Sequence, residues 1–546
     1  NLNPYTPKGQ AANGLGLTFE PLMTESADDP SAEYGLVAES VEVADDLSFA
    51  IFNIRPEARF HDGAPITVED IIYSLQAVKE KGAPLFRYYY ANVKSAEKLD
   101  DHRIKFNFSG PPNRELPQIV GQLLPILSKK YFETHTFEET TLDPILGSGP
   151  YRIKNFETNR YIVYERVKDY WGADLPINVG RNNFDTIRYD FYRDTAVLLE
   201  AFKAGEYDYR SENSAKNWAT GYDFPAVKAG YVILEEIPNE RSAGMQGYAF
   251  NLRREKFQDP ALREALTYAF DFEWLNKNIF YDQYARTSSF FENSVMAAKG
   301  EPTEAELAIL EPYRDKLPPR VFGPAYKAPV TDGSGRDRAP LQKAKEILSD
   351  AGWKVQDRKL IDPKTGKPLT IEFLMNDPNS LRITGPFIKN LKKLGIDANA
   401  RVVDSAQYTE RVRNYDFDII TAGFGQSISP GNEQREFWGD EAGKRPGSRN
   451  VMGIDDPVID ALIENLISAP DYDSLIPAVR ALDRVLTWNF FVIPQFHAAY
   501  DRIAYWNKFG HTDVNPTQGP DIMSWWVDSE KVKRLQQGLR ELSEKK

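Results

Sequence analysis

The segment from residue 341 to 421 alternates between helix and strand patterns, and this alternation restricts the fold more than any other feature of the chain. Leu341, Ala344 and Leu348 recur at helical spacing, and Gly352 ends that helix. The segments that follow are a strand at 369–375, a helix at 381–394, and strands at 396–403 and 418–421. Strands that alternate with helices need crossover connections, which place the strands side by side in parallel. The segment therefore predicts a mostly parallel sheet with helices on both faces.

Residues 37–80 carry a second set of local signals. Residues 49–54 have the pattern of a strand that is largely buried on both faces. His61-Asp62-Gly63 predicts a turn, and Thr67 with Asp70 matches a capping box, in which each residue bonds to the backbone of the other. We therefore expect a strand, a turn and a capped helix in this order.

Later regions predict further strands and helices. A strand at 187–192 precedes a helix that Asp194 is expected to cap and that Gly205 ends in a left-handed conformation. Asp259-Pro260 predicts another helix start, because aspartate caps and proline fits the first turn. Between 297 and 340, seven prolines interrupt the alternation of strand and helix patterns. This stretch is interpreted as a long ordered excursion over the surface.

Composition and charge exclude several classes of protein. The net charge is −13, from 80 acidic and 67 basic residues, so the long-range field repels nucleic acid and anionic lipid. The absence of cysteine excludes disulfides, thiolate metal sites and thiol nucleophiles. No apolar run approaches the roughly 18 residues that cross a bilayer. The first residues carry no basic region followed by an apolar segment, so a secretory signal is expected to have been removed already.

No local motif of catalysis or metal binding is present. The five histidines are far apart and lack metal-ligand spacing, and there is neither a phosphate-binding loop nor a nucleophile elbow. We therefore predict a protein that is not an enzyme, with no catalytic residues, cofactor or metal. A hydrolase whose catalytic groups come together from distant loops stays open as an alternative. Aromatic residues make up 12% of the chain; most are expected in the core, and the rest could line a ligand cleft.

The segment 36–78, with "FHDGAPIT" at 60–67, resembles the signature of the type 5 extracellular solute-binding proteins, the family of oligopeptide, dipeptide and nickel receptors. Further matches are "LGSGPYRI" at 146–153, "EAFKAGEYD" at 200–208, "AKEILSDAGW" at 344–353 and "FDIITAGF" at 417–424. Within the family, "NVGRNNFDTIRYDFYRD" at 178–194 and "TDGSGRDR" at 331–338 are most similar to YejA-type receptors. Those receptors are linked to oligopeptides and to the peptide–nucleotide antibiotic microcin C.

The resemblance implies an α/β fold of the two-lobed periplasmic binding protein type (type II, cluster C). Such a fold has mixed sheets in each lobe, an extra subdomain and a hinge of two strands, here expected near 243–250 and 488–497. The implied function is that of a periplasmic receptor of an ABC importer. It would enclose a peptide or peptide-like compound between its lobes by hinge closure and deliver it to a permease complex in the inner membrane. A monomer is expected. An oligosaccharide or a metal chelate is the alternative ligand on the same fold.

The resemblance also suggests a division of the chain into five segments. Lobe I is expected to comprise residues 1–36, 148–247 and 496–546, with residues 37–147 as its extra subdomain. Lobe II is expected to comprise residues 248–495. The glycine-rich turn at 147–150 predicts one of these boundaries.

Ligand contacts carry over from the family only where positions match. In the first half of the chain, Glu20 and Leu22 match a lobe edge that pairs with peptide backbone, and Glu212 and Asn213 match polar groups at the cleft. The family's glycine–tryptophan pair, which faces the ligand, is matched by Gly423 and Phe424. Further expected contacts are two polar residues after this pair and polar residues on the predicted hinge strands: Gln426, Ser427, Gln246, Gln495 and His497. For His497, packing beside the hinge is the alternative.

One departure from the family concerns the amino terminus of a bound peptide. Oligopeptide receptors place an aspartate shortly after the glycine–tryptophan pair to hold that group, whereas this chain has Gln426 and Ser427. Glu20 or Glu212 is the expected substitute, because a carboxylate forms a charge-assisted hydrogen bond with an ammonium group.

Overall fold

A computed structural model describes residues 1–6, 8–29, 32–192 and 195–544. The chain forms two compact units. Unit 1 comprises Asn1–Glu212, Gly221–Ile237 and Asp501–Lys546, and unit 2 comprises Asn213–Thr220 and Pro238–Tyr500. The five-segment division stays a prediction. Within the described ranges, no helix combines the length and apolar character needed to cross a bilayer.

The strands occur throughout the chain. In order they are β1 (Met23–Glu25), β2 (Glu33–Gly35), β3 (Ala38–Val43), β4 (Phe49–Ile54), β5 (Val93–Lys98), β6 (Arg103–Phe108), β7 (Tyr151–Glu157), β8 (Tyr161–Arg166), β9 (Thr186–Asp190), β10 (Tyr209–Ser211), β11 (Val232–Pro238), β12 (Met245–Phe250), β13 (Ala285–Arg286), β14 (Lys354–Gln356), β15 (Lys359–Ile361), β16 (Thr370–Met375), β17 (Asp397–Val402), β18 (Ile419–Phe424), β19 (Val492–Pro494), β20 (Phe496–His497), β21 (Tyr500–Trp506), β22 (Phe509–Gly510) and β23 (Trp526–Val527).

The helices alternate with these strands. In order they are α1 (Val68–Lys81), α2 (Pro84–Tyr89), α3 (Glu115–Gln122), α4 (Lys129–Phe132), α5 (Thr195–Ala204), α6 (Ala215–Thr220), α7 (Pro225–Lys228), α8 (Pro260–Thr267), α9 (Phe272–Ile279), α10 (Glu304–Leu310), α11 (Ala339–Asp350), α12 (Leu381–Lys393), α13 (Ser405–Arg413), α14 (Glu433–Trp438), α15 (Asp440–Gly443), α16 (Pro457–Ile467), α17 (Tyr472–Trp488) and α18 (Ser529–Glu544).

Unit 1 contains a four-stranded sheet in the order β3-β4-β6-β5 and a three-stranded sheet in the order β7-β8-β9. Their strand pairs are antiparallel. In β4, alternate residues such as Phe52 are buried while Ile51 is only half-buried, so the strand has one core face and is not buried on both faces as predicted. The reason is that an antiparallel sheet can leave one face toward solvent.

The predicted turn and capped helix of unit 1 are confirmed. Gly63 has φ +85°, a conformation that glycine adopts without steric cost. Thr67 Oγ1 accepts from the Asp70 backbone N–H at 3.2 Å, and Asp70 Oδ2 accepts from the Thr67 N–H at 2.9 Å. α5 ends before Gly205, whose φ is +79°, also as predicted. Asp194 lies outside the described residues.

Unit 2 is built around a five-stranded sheet in the order β17-β16-β18-β12-β19. β16 pairs in parallel with both β17 and β18, as the helix–strand alternation predicts. β12, however, is antiparallel to β18 and to β19, so the sheet is mixed. The difference arises because β12 and β19 come from outside the segment 341–421 and are not joined to it by crossover helices.

The predicted hinge strands, near 243–250 and 488–497, stay a prediction like the five-segment division. β12 and β19 occupy these ranges, and both lie within unit 2. The chain passes from one unit to the other after Glu212, Thr220, Ile237 and Tyr500.

The proline-rich stretch 297–340 is ordered, as predicted, but it packs into unit 2 and does not merely lie over it. Leu310 and Val321 are fully buried in the same core as α16 and α17. Arg484 on α17 anchors the stretch: its Nε donates to Glu306 Oε2 at 2.6 Å, and its Nη atoms donate to backbone carbonyls, including Gly323 O at 2.9 Å. Both side chains of this ion pair are at most 1% exposed.

Candidate ligand-binding residues

In unit 1, a glycine-rich turn positions Glu20. The backbone N–H groups of Ser148 and Gly149 donate to Thr18 O at 2.9 and 3.0 Å. A Cβ added at Gly149 would lie 2.5 Å from Leu17 O, so only glycine allows this approach. The Glu20 N–H then donates to Ser148 Oγ at 3.2 Å. These contacts fix the backbone that carries the predicted ligand-binding carboxylate.

Glu20 is 8% exposed, and its carboxylate accepts a hydrogen bond from the Tyr170 hydroxyl. Asn178 Nδ2 in turn donates to that hydroxyl oxygen at 3.2 Å. Burial raises the pKa of Glu20 to about 7, although the Tyr170 hydrogen bond and the charge of Arg181 both lower it. Since Arg181 is paired with Asp521, the carboxylate is suited to gain charge when a cationic group of a ligand arrives.

Leu22 contributes no side-chain surface to a ligand. Its side chain is fully buried in the core that contains α1 and β4, and its carbonyl oxygen accepts from the N–H groups of Leu36 and Ala38 at 3.1 and 2.9 Å. The predicted pairing of this segment with a peptide backbone stays a prediction.

Glu212 is buried in an ion pair. Arg210 Nη2 lies 2.8 Å from Glu212 Oε2, with both side chains at most 8% exposed, and the Tyr222 hydroxyl donates to the same oxygen at 2.9 Å. A carboxylate that already neutralises a buried guanidinium is poorly suited to bind a second cation. Of the two acids expected to replace the family aspartate, Glu20 is therefore the better candidate.

In unit 2, several of the predicted residues lie on adjacent strands. Gln246 on β12 is directly opposite Gly423 on β18. Gln246 Nε2 donates to Gln495 Oε1 at 2.8 Å, and the Gln495 N–H donates to Gln246 O at 2.8 Å. His497 follows on β20, where its Nδ1 lies 3.1 Å from Thr287 Oγ1. Burial lowers the pKa of His497, and the charge of Glu292 only partly offsets this effect, so the surroundings favour the neutral imidazole.

Gly423 presents backbone polar groups at a strand edge. The Asn251 N–H donates to Asp418 O at 3.0 Å, and alternate residues of an antiparallel strand direct their backbone groups to the same neighbour. Gly423 therefore points its N–H and C=O away from β12. On that side, the pairing of β18 with β16 covers Ile419 and Ile420 only. Gly423 is exposed, and a Cβ built on it meets no atom within 4 Å.

Phe424 points into the core. It is 2% exposed, and its ring centroid lies 6.0 Å from that of Phe290 and 4.9 Å from that of Trp438. The Gly-Phe pair thus offers backbone groups, and not an aromatic face, to the outside of unit 2.

The remaining predicted residues lie nearby in the chain. Gln426 Oε1 accepts from Gln434 Nε2 at 2.6 Å, and Ser427 is exposed. Asn213, also exposed, belongs to unit 2, and its carbonyl oxygen accepts from the Tyr284 hydroxyl at 3.2 Å.

Tyr170 and Gln434 orient predicted residues but were missed by the sequence analysis. Tyr170 lies 150 positions from Glu20, and no local pattern connects the two. Ser148 could have been found, since it lies in the glycine-rich motif already singled out. Among the described residues, no group of three or more His, Cys, Asp or Glu side chains is placed to hold a metal ion.

A family model and two related proteins each match this chain over most of its length. Residues 33–445 match the family described as "Bacterial extracellular solute-binding proteins, family 5 Middle". The "Probable peptide-binding protein YejA" of Agrobacterium fabrum (strain C58) is 44% identical over 537 residues, which cover 96% of this chain and 87% of the relative. The protein named YejA of Escherichia coli (strain K12) is 40% identical over 538 residues, which cover 98% of this chain and 88% of the relative.

A solved structure is similar in fold. The oligopeptide-binding protein AppA of Bacillus subtilis, in complex with a nonapeptide, aligns with a TM-score of 0.72 and 19% identity. The alignment covers 97% of this chain and 96% of AppA. The predicted fold class, an α/β binding-protein fold of two lobes with mixed sheets, is confirmed.

Proposed function

The chain belongs to family 5 of the bacterial extracellular solute-binding proteins, as the sequence resemblance predicted, and from that premise we propose that it captures peptides or peptide-like compounds in the periplasm. It releases them unaltered to an ABC permease complex in the inner membrane. The peptide–nucleotide microcin C is one compound of this class. The observation that carries the proposal is the open backbone edge of β18 at Gly423.

An exposed strand edge recognises what all peptides share. Backbone N–H and C=O groups of an extended peptide pair with an unpaired strand edge whatever the side chains are. Gly423 has no side chain that would occupy space next to such a peptide. The space around its Cβ position is also empty of other atoms within 4 Å. The paired amides of Gln246 and Gln495 lie beside it and add polar groups. These features favour binding of peptides with many different sequences.

Glu20 supplies the charge that a peptide amine requires. Its carboxyl is buried, hydrogen-bonded to Tyr170, and has a pKa raised to about 7. An ammonium group at hydrogen-bond distance would return the carboxyl to its charged form, because an opposite charge lowers the pKa. This residue takes the role of the family aspartate in the proposal.

Binding is coupled to hinge closure. A ligand that contacts both lobes binds the closed state more tightly and shifts the population toward it. Moving the equilibrium from 1:99 to 99:1 requires about 5.5 kcal/mol of preference for the closed state, and micromolar affinity corresponds to about −8 kcal/mol. A micromolar ligand therefore has enough binding free energy. Small-angle scattering should show a smaller radius of gyration on saturation, and an unchanged radius would contradict closure.

Peptide capture followed by native mass spectrometry tests the proposal. The protein is mixed with tri- to pentapeptides of defined sequence, and bound masses are compared with those supplied. We expect one intact peptide per chain and at least tenfold weaker capture by Gly423→Val, whose side chain fills the open space on the sheet face beside this edge. Gly385→Val is the matched control, because its Cβ position is also open. Capture of no peptide, or recovery of cleavage products, would contradict the proposal, the latter favouring a hydrolase.

A further inference from the structure

A chain of polar side chains leads from the core of unit 2 to Gln426. Trp438 is fully buried, and its Nε1 donates to Gln434 Oε1 at 2.7 Å. Indole nitrogen is a donor only, so the atom it meets must be the amide oxygen of Gln434. Gln434 Nε2 also donates to a carboxylate oxygen of Glu433 at 3.0 Å. A donor on one side and an acceptor on the other therefore fix the orientation of the Gln434 amide.

The orientation of Gln434 determines that of Gln426. Since Gln434 directs Nε2 toward Gln426 at 2.6 Å, the atom that receives this hydrogen bond is Gln426 Oε1. The amide nitrogen of Gln426 must then point elsewhere. That nitrogen is buried and has no hydrogen-bond partner among the residues that the structure describes. An unpaired buried amide donor is destabilising, so the position favours any acceptor that reaches it.

A neutral amide N–H selects the chemistry of its partner. It donates to a carbonyl or carboxylate oxygen. An ammonium group has only donors and cannot accept this hydrogen bond. Gly425, adjacent to Gln426, and Gly423 on β18 both have open space at their Cβ positions. The surroundings thus leave room for a ligand beside this donor.

We propose that Gln426 Nε2 donates a hydrogen bond to a carbonyl or carboxylate oxygen of the bound ligand. Unit 2 therefore recognises a hydrogen-bond acceptor of the peptide and not its free amino terminus. This inference rests on the proposed function and concerns the same site. It follows that a peptide with a blocked amino terminus satisfies Gln426 as well as a free one does. Selectivity for a free amine belongs to Glu20 alone.

The test uses an equimolar mixture of free and N-acetylated tri- to pentapeptides, with captured species quantified by mass spectrometry. Gln426→Glu keeps the length of the side chain but replaces the donor with an acidic acceptor. We expect it to bind the peptides captured by the wild type at least tenfold more weakly, and its remaining capture to shift at least tenfold toward free amines. Gln356→Glu, on the exposed strand β14, is the matched control and should leave both quantities unchanged.

A second variant separates loss of the donor from added charge or misfolding. Gln426→Met is of similar length, carries no charge and cannot donate, so it should also weaken capture at least tenfold while leaving the ratio of free to acetylated peptides unchanged. Equal capture by the wild type and both variants would overturn the inference alone. A ligand-bound crystal structure with an ammonium group or only water at Gln426 Nε2 would also overturn it. Absence of capture by the wild type would overturn the proposed function and the inference with it.

Discussion

Replacing Glu20 with glutamine tests two effects of this carboxylate separately: burial of its charge lowers the stability of the folded protein, and the same charge is proposed to bind a peptide amine. Burial raises the pKa of Glu20 from 4.5 to about 7, so the folded protein holds a proton in a pH range where the unfolded chain has lost it. Stability from this group is fully present below pH 4.5 and is lost as the pH rises to 7. At about 1.4 kcal/mol per pH unit, the loss is about 3 kcal/mol above pH 7.

Glu20→Gln should avoid this loss. Glutamine keeps an oxygen that accepts the Tyr170 hydrogen bond but carries no charge, so the variant should be about 3 kcal/mol more stable than the wild type at pH 8. The two proteins should be equally stable near pH 4.5. Scanning calorimetry of the ligand-free protein should show an increase in Tm of about 5 °C or more for unit 1 at pH 8. Glu57→Gln, an exposed change in the same unit, should leave Tm unchanged.

Whereas stability should increase in Glu20→Gln, affinity for peptides with a free amine should decrease. If a peptide amine requires ionised Glu20, affinity of the wild type should fall about fifty-fold between pH 7 and pH 5, in proportion to the ionised fraction of a group with a pKa near 7. Glu20→Gln should bind free-amine peptides more weakly at pH 7 and show little dependence on pH. Titration calorimetry measures both. A variant that is less stable than the wild type at pH 8, or that keeps the same pH dependence of binding, would refute the reasoning.

Two further predictions concern the scaffold of unit 2. Glu306→Gln leaves Arg484 charged and buried, so we expect a loss of about 3–5 kcal/mol and the largest rise in hydrogen exchange within α10; unchanged exchange there would contradict the anchoring role. Gly247→Ala should lower Tm by several degrees because its Cβ would lie 2.3 Å from Ile493 O, whereas Gly423→Ala should leave Tm unchanged because its Cβ position is open. Equal shifts in the two alanine variants would contradict the packing described.

Local features of the fold were predictable because a few adjacent residues determine them. The capping box of Thr67 and Asp70 satisfies backbone groups within one turn of α1, and the left-handed Gly205 ends α5. The parallel arrangement of β16, β17 and β18 followed from the helix–strand alternation, since crossover connections leave few other topologies. In each case the signal and the structure lie within one continuous segment of the chain.

Features that depend on long-range contacts were not predictable. Arg484 and Glu306 are 178 positions apart, and nothing near either residue signals a buried ion pair. For the same reason the burial of the proline-rich stretch was missed. At the candidate site, the sequence proposed both Glu20 and Glu212 as partners of an amine. Only the structure distinguishes them, because Arg210 already neutralises Glu212.

Identification of the natural ligand tests the central claim most directly. The protein would be purified from cells that express it, its mass measured in the native state, and any bound compound released by denaturation and identified. We predict one peptide or peptide-like molecule per chain, which rebinds to the emptied protein and is recovered with its mass unchanged. Release of a sugar or a metal chelate, or recovery of the rebound compound in cleaved form, would contradict the claim.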